Sequence, residues 1–148
     1  MTYQFARVVL ASTAYQPTVD WQYLINPDID QLNDIYRTYC IYKHFASVMP
    51  IFDSQYLDPA TDIIGYYEEN CLVAFSLMKR YDTHNVLASQ FAWTYHNPKT
   101  RLGLESLKTE CAIYRDRGFE YLYLDQAHLY KQGLDGFEIL GPIQSSTY

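Results

Sequence analysis

The stretch YHNPKTRLGL, residues 95–104, separates an extended segment from a helical one. The apolar run VLASQFAWTY (86–95) leads into it and predicts a strand. Beyond it, apolar side chains recur at helical spacing from Leu102 to Arg117, which predicts a helix that Gly118 ends. FEYLYL (119–124) predicts the next strand. The stretch therefore lies inside a strand–helix–strand unit.

Two further strands are predicted upstream of this unit, over Ile63–Tyr67 and Cys71–Lys79, because both are short and mostly apolar. Polar turns at 68–70 and 81–85 join these strands to each other and to the strand at 86–95. Three strands joined by short turns form an antiparallel meander.

The remaining elements lie outside this centre. FARVVLA (5–11) predicts a first strand, and FEIL (137–140) predicts a last one. Between the first strand and the meander, Asn26-Pro27-Asp28 predicts a helix start with Asn26 as the N-cap and Pro27 in the first helical position. This helix is expected to end before Pro50.

The length and the element order together predict one domain of mixed α+β (α/β) class. A chain of 148 residues is the usual size of a single domain, here taken as 1–148 with residues 142–148 as a C-terminal tail. A meander followed by strand–helix–strand gives a mixed, mainly antiparallel sheet with helices on its faces.

The composition excludes several classes of function. The net charge of −6 argues against a surface that coats nucleic acid. No apolar run approaches the roughly 20 residues of a membrane-spanning helix. The first residues lack the pattern of a signal peptide, so we expect a cytoplasmic protein with no membrane partner. The three cysteines and four histidines form no metal-binding spacing, so no metal is expected.

Tyrosine is unusually abundant, with 16 residues. Such a content fits a tyrosine-rich core, and it also fits an adhesive surface such as the contact face of a homodimer. This content and the apolar Cys71–Lys79 strand lead us to expect a homodimer with aromatic contacts near its centre.

The element order resembles the GNAT superfamily of acyltransferases over nearly the whole chain. In that family a Pro-x-x-Arg segment and a glycine-rich turn precede the helix, and backbone N–H groups of the turn hold the pyrophosphate of acetyl-CoA. Pro98 and Arg101 match this segment. The glycine pattern departs from the family, because Gly103 is its only glycine and Glu105 stands where a small residue is expected.

The resemblance implies an N-acyltransferase that moves an acetyl or other acyl group from acyl-CoA to a small-molecule or peptide amine. It implies acetyl-CoA, or another acyl-CoA, as the cofactor. The implied cofactor-binding residues are Trp93, Tyr95, Lys99, Arg101, Leu102, Gly103, Leu104 and Ser106.

The same resemblance implies the catalytic candidates. Tyr130, just before Gly133, would be the acid that protonates the departing thiolate. His128 and His96 are candidate bases for the amine proton. Ser89 and Gln90 lie on the strand at 86–95, where one of them would face the acceptor.

Two alternatives stay open. The C-terminal half also resembles the acyl-transfer domain of arginyl-tRNA–protein transferases, through Tyr95–Arg101, Leu102-Gly103, Tyr121–Leu124 and Tyr130–Gly133. That likeness implies an aminoacyl-tRNA donor and tRNA as a partner, although the N-terminal cysteine cluster of those transferases is missing. The second alternative is a non-enzymatic interaction protein with the GNAT fold.

Overall fold

A single sheet organises the chain in the computed structural model, which describes residues 2–44, 51, 53–95, 101–124 and 131–144. Within these residues seven strands lie in the order β2-β3-β4-β5-β6-β1-β7. All neighbours are antiparallel except β5 and β6, which are parallel. The strands are β1 (Thr2–Val9), β2 (Asp20–Tyr23), β3 (Thr61–Glu68), β4 (Cys71–Arg80), β5 (Asn85–Trp93), β6 (Tyr121–Leu124) and β7 (Phe137–Gln144). The predicted mixed, mainly antiparallel sheet is confirmed.

Helices α1 (Ile29–Tyr42) and α3 (Leu102–Asp116) cover opposite faces of this sheet, and the short α2 (Asp53–Tyr56) lies on the α1 side. Neighbouring residues of a strand point to opposite faces. Ile63 accordingly packs in the cluster that contains Leu32 of α1, whereas Ile64 packs in the cluster that contains Leu107 of α3. The two helices therefore enclose the sheet as a three-layered core.

The start of α1 differs from the prediction. Asp28, not Asn26, is the N-cap, and its carboxylate accepts a hydrogen bond from the Gln31 N–H at 3.3 Å. Asn26 instead has a φ of 51°, a left-handed conformation that asparagine tolerates better than most residues. The helix ends at Tyr42, and Pro50 lies outside the described residues.

β5 and β6 separate part-way along their length. Their parallel pairing runs from Asn85–Tyr121 to Ala88–Leu124, where β6 ends, while β5 continues to Trp93. Among the described residues, no strand pairs with Ser89–Trp93 on the side of β6, and the sheet is open there. The two strands therefore splay apart beyond Ala88 and Leu124.

β1 lies between β6 and β7, so segments from both ends of the chain meet at this side of the sheet. It begins earlier than the predicted 5–11, and the adjoining Leu10–Ser12 forms a 3-10 turn. β7 continues past Leu140 to Gln144, so the strand extends into the segment predicted as a tail. β2 was not predicted, because its four residues DWQY carry no apolar run.

Candidate functional site

A cavity lies at the point where β5 and β6 separate. Its volume is about 180 Å³. α3 and β5 provide most of its wall, while Tyr39 of α1 reaches it from the opposite face of the sheet. The described lining residues are Tyr39, Ser76, Ala88, Ser89, Gln90, Phe91, Gly103, Ser106, Leu107, Glu110, Leu124 and Lys131. The opening in the sheet thus connects the α1 side with the α3 side.

A register shift in the β4–β5 pair lies at this opening. Leu77 pairs with Gln90 and Met78 pairs with Ala88, which leaves Ser89 as an extra residue in β5. The Ser89 hydroxyl donates to the Leu77 carbonyl at 3.0 Å. Both Ser89 and Gln90, which the sequence suggested for the acceptor side, line the cavity.

Glu110 of α3 is the buried acid of the cavity. Its side chain is held by two hydroxyl groups that donate to the same carboxylate oxygen, Oε2. One is the Tyr66 hydroxyl of β3, and the other is the Ser76 hydroxyl of β4 at 2.7 Å. Glu110 is only 2% exposed, and Tyr66 is fully buried. Acids this deeply buried are rare unless a specific set of partners holds them.

Burial changes the titration of this group. It raises the pKa of Glu110 from 4.5 to about 7, because the charged form loses its hydration. The hydrogen bonds from Tyr66 and Ser76 and the charge of Lys131 lower the pKa, but by less than burial raises it. Burial, together with the nearby Glu110 charge, raises the pKa of Tyr66 well above its ordinary value. Glu110 can therefore gain or lose a proton close to neutral pH, whereas Tyr66 stays protonated.

The start of α3 forms the second part of the site. Arg101, the residue before the helix, is exposed and has a left-handed φ of 50°. A Cβ atom added to Gly103 would meet no atom within 4 Å, so this glycine faces open space next to the cavity. The first N–H groups of a helix have no partner inside the helix and carry its positive dipole end. This arrangement suits an anionic group.

The side chain of Glu105, in the first turn of α3, contacts Thr18 and Lys108. Its carboxylate accepts a hydrogen bond from the Thr18 hydroxyl at 2.7 Å and lies 3.7 Å from the Lys108 ammonium. It does not line the cavity. A carboxylate in the first turn of a helix would repel an anion bound at the helix start. These two contacts engage the Glu105 carboxylate and weaken that repulsion.

Aromatic rings stack beside Tyr39, the residue of α1 that lines the cavity. The Tyr95 ring stacks on Tyr42 with 3.7 Å between ring centroids and on Tyr39 at 5.9 Å. Tyr95 has a left-handed φ of 55°, a conformation that costs free energy for a tyrosine and that this packing holds in place. The stack fixes the end of β5 against the end of α1.

The structure brings together only part of the predicted site. Gly103 and Ser106 line the cavity, and Arg101 is exposed at the helix start. The Trp93 and Leu102 side chains are buried in the core, and Leu104 packs against that core. Tyr95 stacks on Tyr39 and Tyr42 and does not line the cavity. His96, Lys99, His128 and Tyr130 lie outside the described residues.

The sequence reasoning missed Glu110, Tyr66 and Ser76. A signal was present, since Glu110 falls on the apolar stripe of the helix, between Leu107 and Tyr114. An acid on the buried face of a helix is expected to have a special partner. Cys111 is a core residue, and burial raises its pKa to about 12, which disfavours a nucleophilic thiolate.

Solved structures show which fold this is. A chain assigned as the C-terminal domain of a lysylphosphatidylglycerol synthetase from Agrobacterium fabrum superposes with a TM-score of 0.67 at 10% identity, over 86% of this chain and 48% of that one. A GCN5-related N-acetyltransferase from Anabaena variabilis gives 0.66 at 6% identity, over 95% and 38%. A GNAT-family acetyltransferase from Elizabethkingia anophelis with acetyl-CoA bound gives 0.52 at 9% identity, over 74% and 65%. The chain has the GNAT fold.

The extent of these similarities is limited. The chain spans between 38% and 65% of the length of the three structures. No protein-family model and no curated protein matches it. The resemblance to arginyl-tRNA–protein transferases stays a prediction. Among the described residues, no helix combines the length and the apolar character needed to cross a membrane.

Proposed function

We propose that this protein is an acyltransferase that moves an acyl group from acyl-CoA to an amine. The observation that carries the proposal is the opening between β5 and β6, which leads into a polar cavity beside the first three turns of α3. The GNAT fold supports acyl transfer as the type of reaction, and the acetyl-CoA bound in one structure of this fold supports the choice of donor.

The residues at the start of α3 fit the pyrophosphate of CoA. The backbone N–H groups of Leu102 and Gly103 begin the helix, and the open space beside Gly103 admits a ligand close to the backbone. Arg101 would add a charge-assisted hydrogen bond. The edge of β5 beyond Ala88 would position the extended arm of the ligand. When bound, acyl-CoA supplies the activated thioester.

The cavity also offers groups that hold or move a proton. Glu110 would accept a proton near neutral pH, with Ser76 and Tyr66 keeping its carboxylate in place. Tyr130 is proposed as the acid for the departing sulfur. Its chain neighbour Lys131 lines the cavity, which supports this assignment. His128 and His96 are kept as alternative bases.

Calorimetry with acetyl-CoA tests the donor. Wild-type protein should bind it, and Arg101→Ala should weaken binding by roughly 1–3 kcal/mol, the usual cost of losing a charge-assisted hydrogen bond. Arg37→Ala is the matched control, because Arg37 is exposed on α1 and pairs with Asp34 of the same helix at 2.8 Å. No binding at millimolar acetyl-CoA would contradict the proposal and favour the tRNA-related or non-enzymatic alternative.

A further inference from the structure

We propose that a cavity at the C-terminal end of α3 binds a phosphate monoester through the guanidinium groups of Arg80 and Arg117. This cavity, the arginine cavity, has a volume of about 580 Å³. Its described lining residues are Arg80, Tyr81, Asp82, Thr83, Arg117 and Phe119. None of them lines the cavity between β5 and β6, so the inference stands independently of the proposed acyl transfer.

The two cavities lie toward opposite ends of α3. Gly103, at the start of this helix, lines the first cavity, and Arg117, the residue that follows the helix, lines the arginine cavity. Because a helix rises about 1.5 Å per residue, the two positions are roughly 20 Å apart along its axis. A ligand in the arginine cavity would therefore leave the start of α3 accessible.

The first argument is the way in which the two guanidinium groups are held. Arg117 Nη1 donates to Asp62 Oδ2 at 2.8 Å, and Arg80 Nε lies 3.3 Å from Asp62 Oδ1. The Tyr114 hydroxyl also donates to Asp62 Oδ2, at 2.7 Å. Arg80 Nη2 donates to the Pro59 carbonyl at 2.6 Å. Both side chains are thus positioned in the absence of a ligand, which lowers the entropic cost of binding one.

The second argument is the hydrogen-bond donors that remain. In the described part of the chain, the hydrogen bonds of Arg117 run through Nη1 alone, to Asp62 and to the Tyr23 hydroxyl at 3.0 Å. Arg80 Nε is buried and has no hydrogen-bond partner among the described residues. A guanidinium group carries five N–H donors, so both arginines retain donors for a further acceptor. Their side chains are 32% and 36% exposed, so a ligand can reach them.

The third argument is the balance of charge. The two guanidinium groups share a single carboxylate, and the Lys79 ammonium lies 5.8 Å from the ring of Tyr81 in the cavity wall. Asp82, the acid of the wall, is engaged in its own turn, where it accepts the N–H groups of His84 and Asn85 at 2.7 and 2.8 Å. Three cations thus accompany two carboxylates, in a chain whose net charge is −6. An anion would balance this local excess of positive charge.

A phosphate monoester fits these features best. It carries close to two negative charges at neutral pH and presents three acceptor oxygens, whereas a carboxylate has one charge and two oxygens. Guanidinium groups bind phosphate through paired, charge-assisted hydrogen bonds. The cavity is larger than a phosphate group, and Tyr81 and Phe119 supply aromatic surface to its wall. The remainder of the ligand is therefore expected to include an apolar or planar group.

Calorimetry with phenyl phosphate at pH 8 tests the inference, with benzoate and benzyl alcohol as its carboxylate and neutral counterparts. Phenyl phosphate should bind at millimolar concentration, and more tightly than either counterpart. Failure of phenyl phosphate to bind, or tighter binding of benzoate or benzyl alcohol, overturns the inference.

Thr83→Glu and Thr83→Gln form a matched pair of variants. Thr83 is exposed in the turn before β5 and lines the cavity, and it lies outside the contacts of Asp62, so both variants should fold. Thr83→Glu should weaken the binding of phenyl phosphate about fivefold or more, because it adds a like charge. Thr83→Gln should keep the wild-type affinity. Equal affinities of the two variants overturn the inference.

Arg117→Gln tests the contact itself and should weaken binding about tenfold or more. Arg37→Gln, an exposed substitution on α1, is its control and should have no effect. Binding that is lost in Arg101→Ala but retained in Arg117→Gln would place the phosphate at the start of α3, which overturns the inference.

A further measurement on the wild-type protein needs no variant to fold. Nitrogen NMR follows the side-chain Nε–Hε groups of the arginines. Phenyl phosphate should shift the signals of Arg80 and Arg117 and leave that of Arg7, which pairs with Glu138 at 2.8 Å, unchanged. Unshifted signals of Arg80 and Arg117 at millimolar phenyl phosphate overturn the inference.

Discussion

Two opposing effects act on the pKa of Glu110. Its position on the stripe of α3 that faces the sheet removes it from water, which favours the protonated form. The hydrogen bonds donated by Tyr66 and Ser76 favour the charged form. The first effect is larger, so the group titrates near neutral pH rather than in the acidic range. A purely structural role would be served at less cost by an apolar residue of similar size.

The first prediction concerns stability and pH. Because the pKa of Glu110 rises from 4.5 to about 7 on folding, the folded state binds this proton more tightly than the unfolded chain. The resulting stability is fully present below pH 4.5 and is lost as the pH rises through about 7. Between these values, the free energy of unfolding of wild type relative to Glu110→Gln should fall by on the order of 3 kcal/mol.

Chemical denaturation at several pH values measures this difference. Glu120→Gln, which changes an exposed carboxylate, should follow the wild-type curve. Parallel curves for wild type and Glu110→Gln would show that Glu110 titrates normally in the folded state.

The second prediction concerns Tyr130. If its hydroxyl donates the proton to the departing sulfur, Tyr130→Phe should lower kcat by roughly 10²-fold or more, as for loss of a general acid. The affinity for acetyl-CoA should change little, because the proton is needed only in the transition state. Steady-state kinetics with acetyl-CoA and n-butylamine, together with calorimetry, separate the two effects.

Tyr81→Phe is the control for this substitution, since Tyr81 is 60% exposed in the turn before β5. It should leave both quantities unchanged. Wild-type turnover in Tyr130→Phe would remove Tyr130 from the proposed mechanism.

At the scale of elements, the join between β1 and β7 depends on one glycine. Gly136 has a φ of 74°, and its carbonyl accepts a hydrogen bond from the Val9 N–H at 2.8 Å. A Cβ atom at this position would lie 2.5 Å from the Val9 carbonyl oxygen. Since that oxygen belongs to the backbone of β1, it could move only if the strand moved.

The third prediction follows from this contact. Gly136→Ala should destabilise the protein by about 2 kcal/mol or more, from the left-handed conformation and the clash together. Gly133→Ala is a matched control three residues away, because a Cβ there meets no atom within 4 Å. It should change the free energy of unfolding by no more than about 0.5 kcal/mol. Thermal or chemical denaturation measures both, and equal effects would contradict the placement of β1 beside Gly136.

Local sequence pattern predicted the elements that depend on periodicity. The helix predicted at Leu102–Arg117 is α3, and the strand predicted at Cys71–Lys79 is β4, each within one residue at its ends. β2 was missed because pairing with β3, rather than its own residues, makes it a strand. The place of β1 between β6 and β7 was also not predictable, because the apolar pattern of a segment can predict a strand but not the strands with which it pairs.

The candidate site was less accessible to sequence reasoning for a related reason. Its polar network joins β3, β4 and α3, with 44 positions between Tyr66 and Glu110, and no local motif covers such a distance. The left-handed conformations of Tyr95 and Arg101 are likewise set by their surroundings, because neither residue type favours them. The sites predicted at Arg101 and Gly103 rested only on the resemblance to a family, since a single glycine before a helix is not a specific motif.

At the scale of the whole molecule, the tyrosine content divides between inside and outside. Tyr66 and Tyr114 are fully buried, whereas Tyr42 and Tyr81 are more than half exposed. The apolar strand β4 is buried between β3 and β5, so its composition is explained within one chain. Any dimer contact must therefore use another surface.

β7 is an edge strand on which Ile139 and Leu140 are 46% and 44% exposed.

The last prediction is a homodimer formed through β7. An edge strand presents unpaired backbone groups, and exposed Ile139 and Leu140 would add apolar contact if two copies paired along it. Light scattering at tens of micromolar should give twice the chain mass of 17.4 kDa. Ile139→Lys should return the protein to a monomer, because it places a charge in the contact. Ile25→Lys should remain a dimer, since Ile25 is 84% exposed next to β2, at the opposite edge of the sheet. A monomeric wild type would refute the dimer, and a dimeric Ile139→Lys would move the contact away from β7.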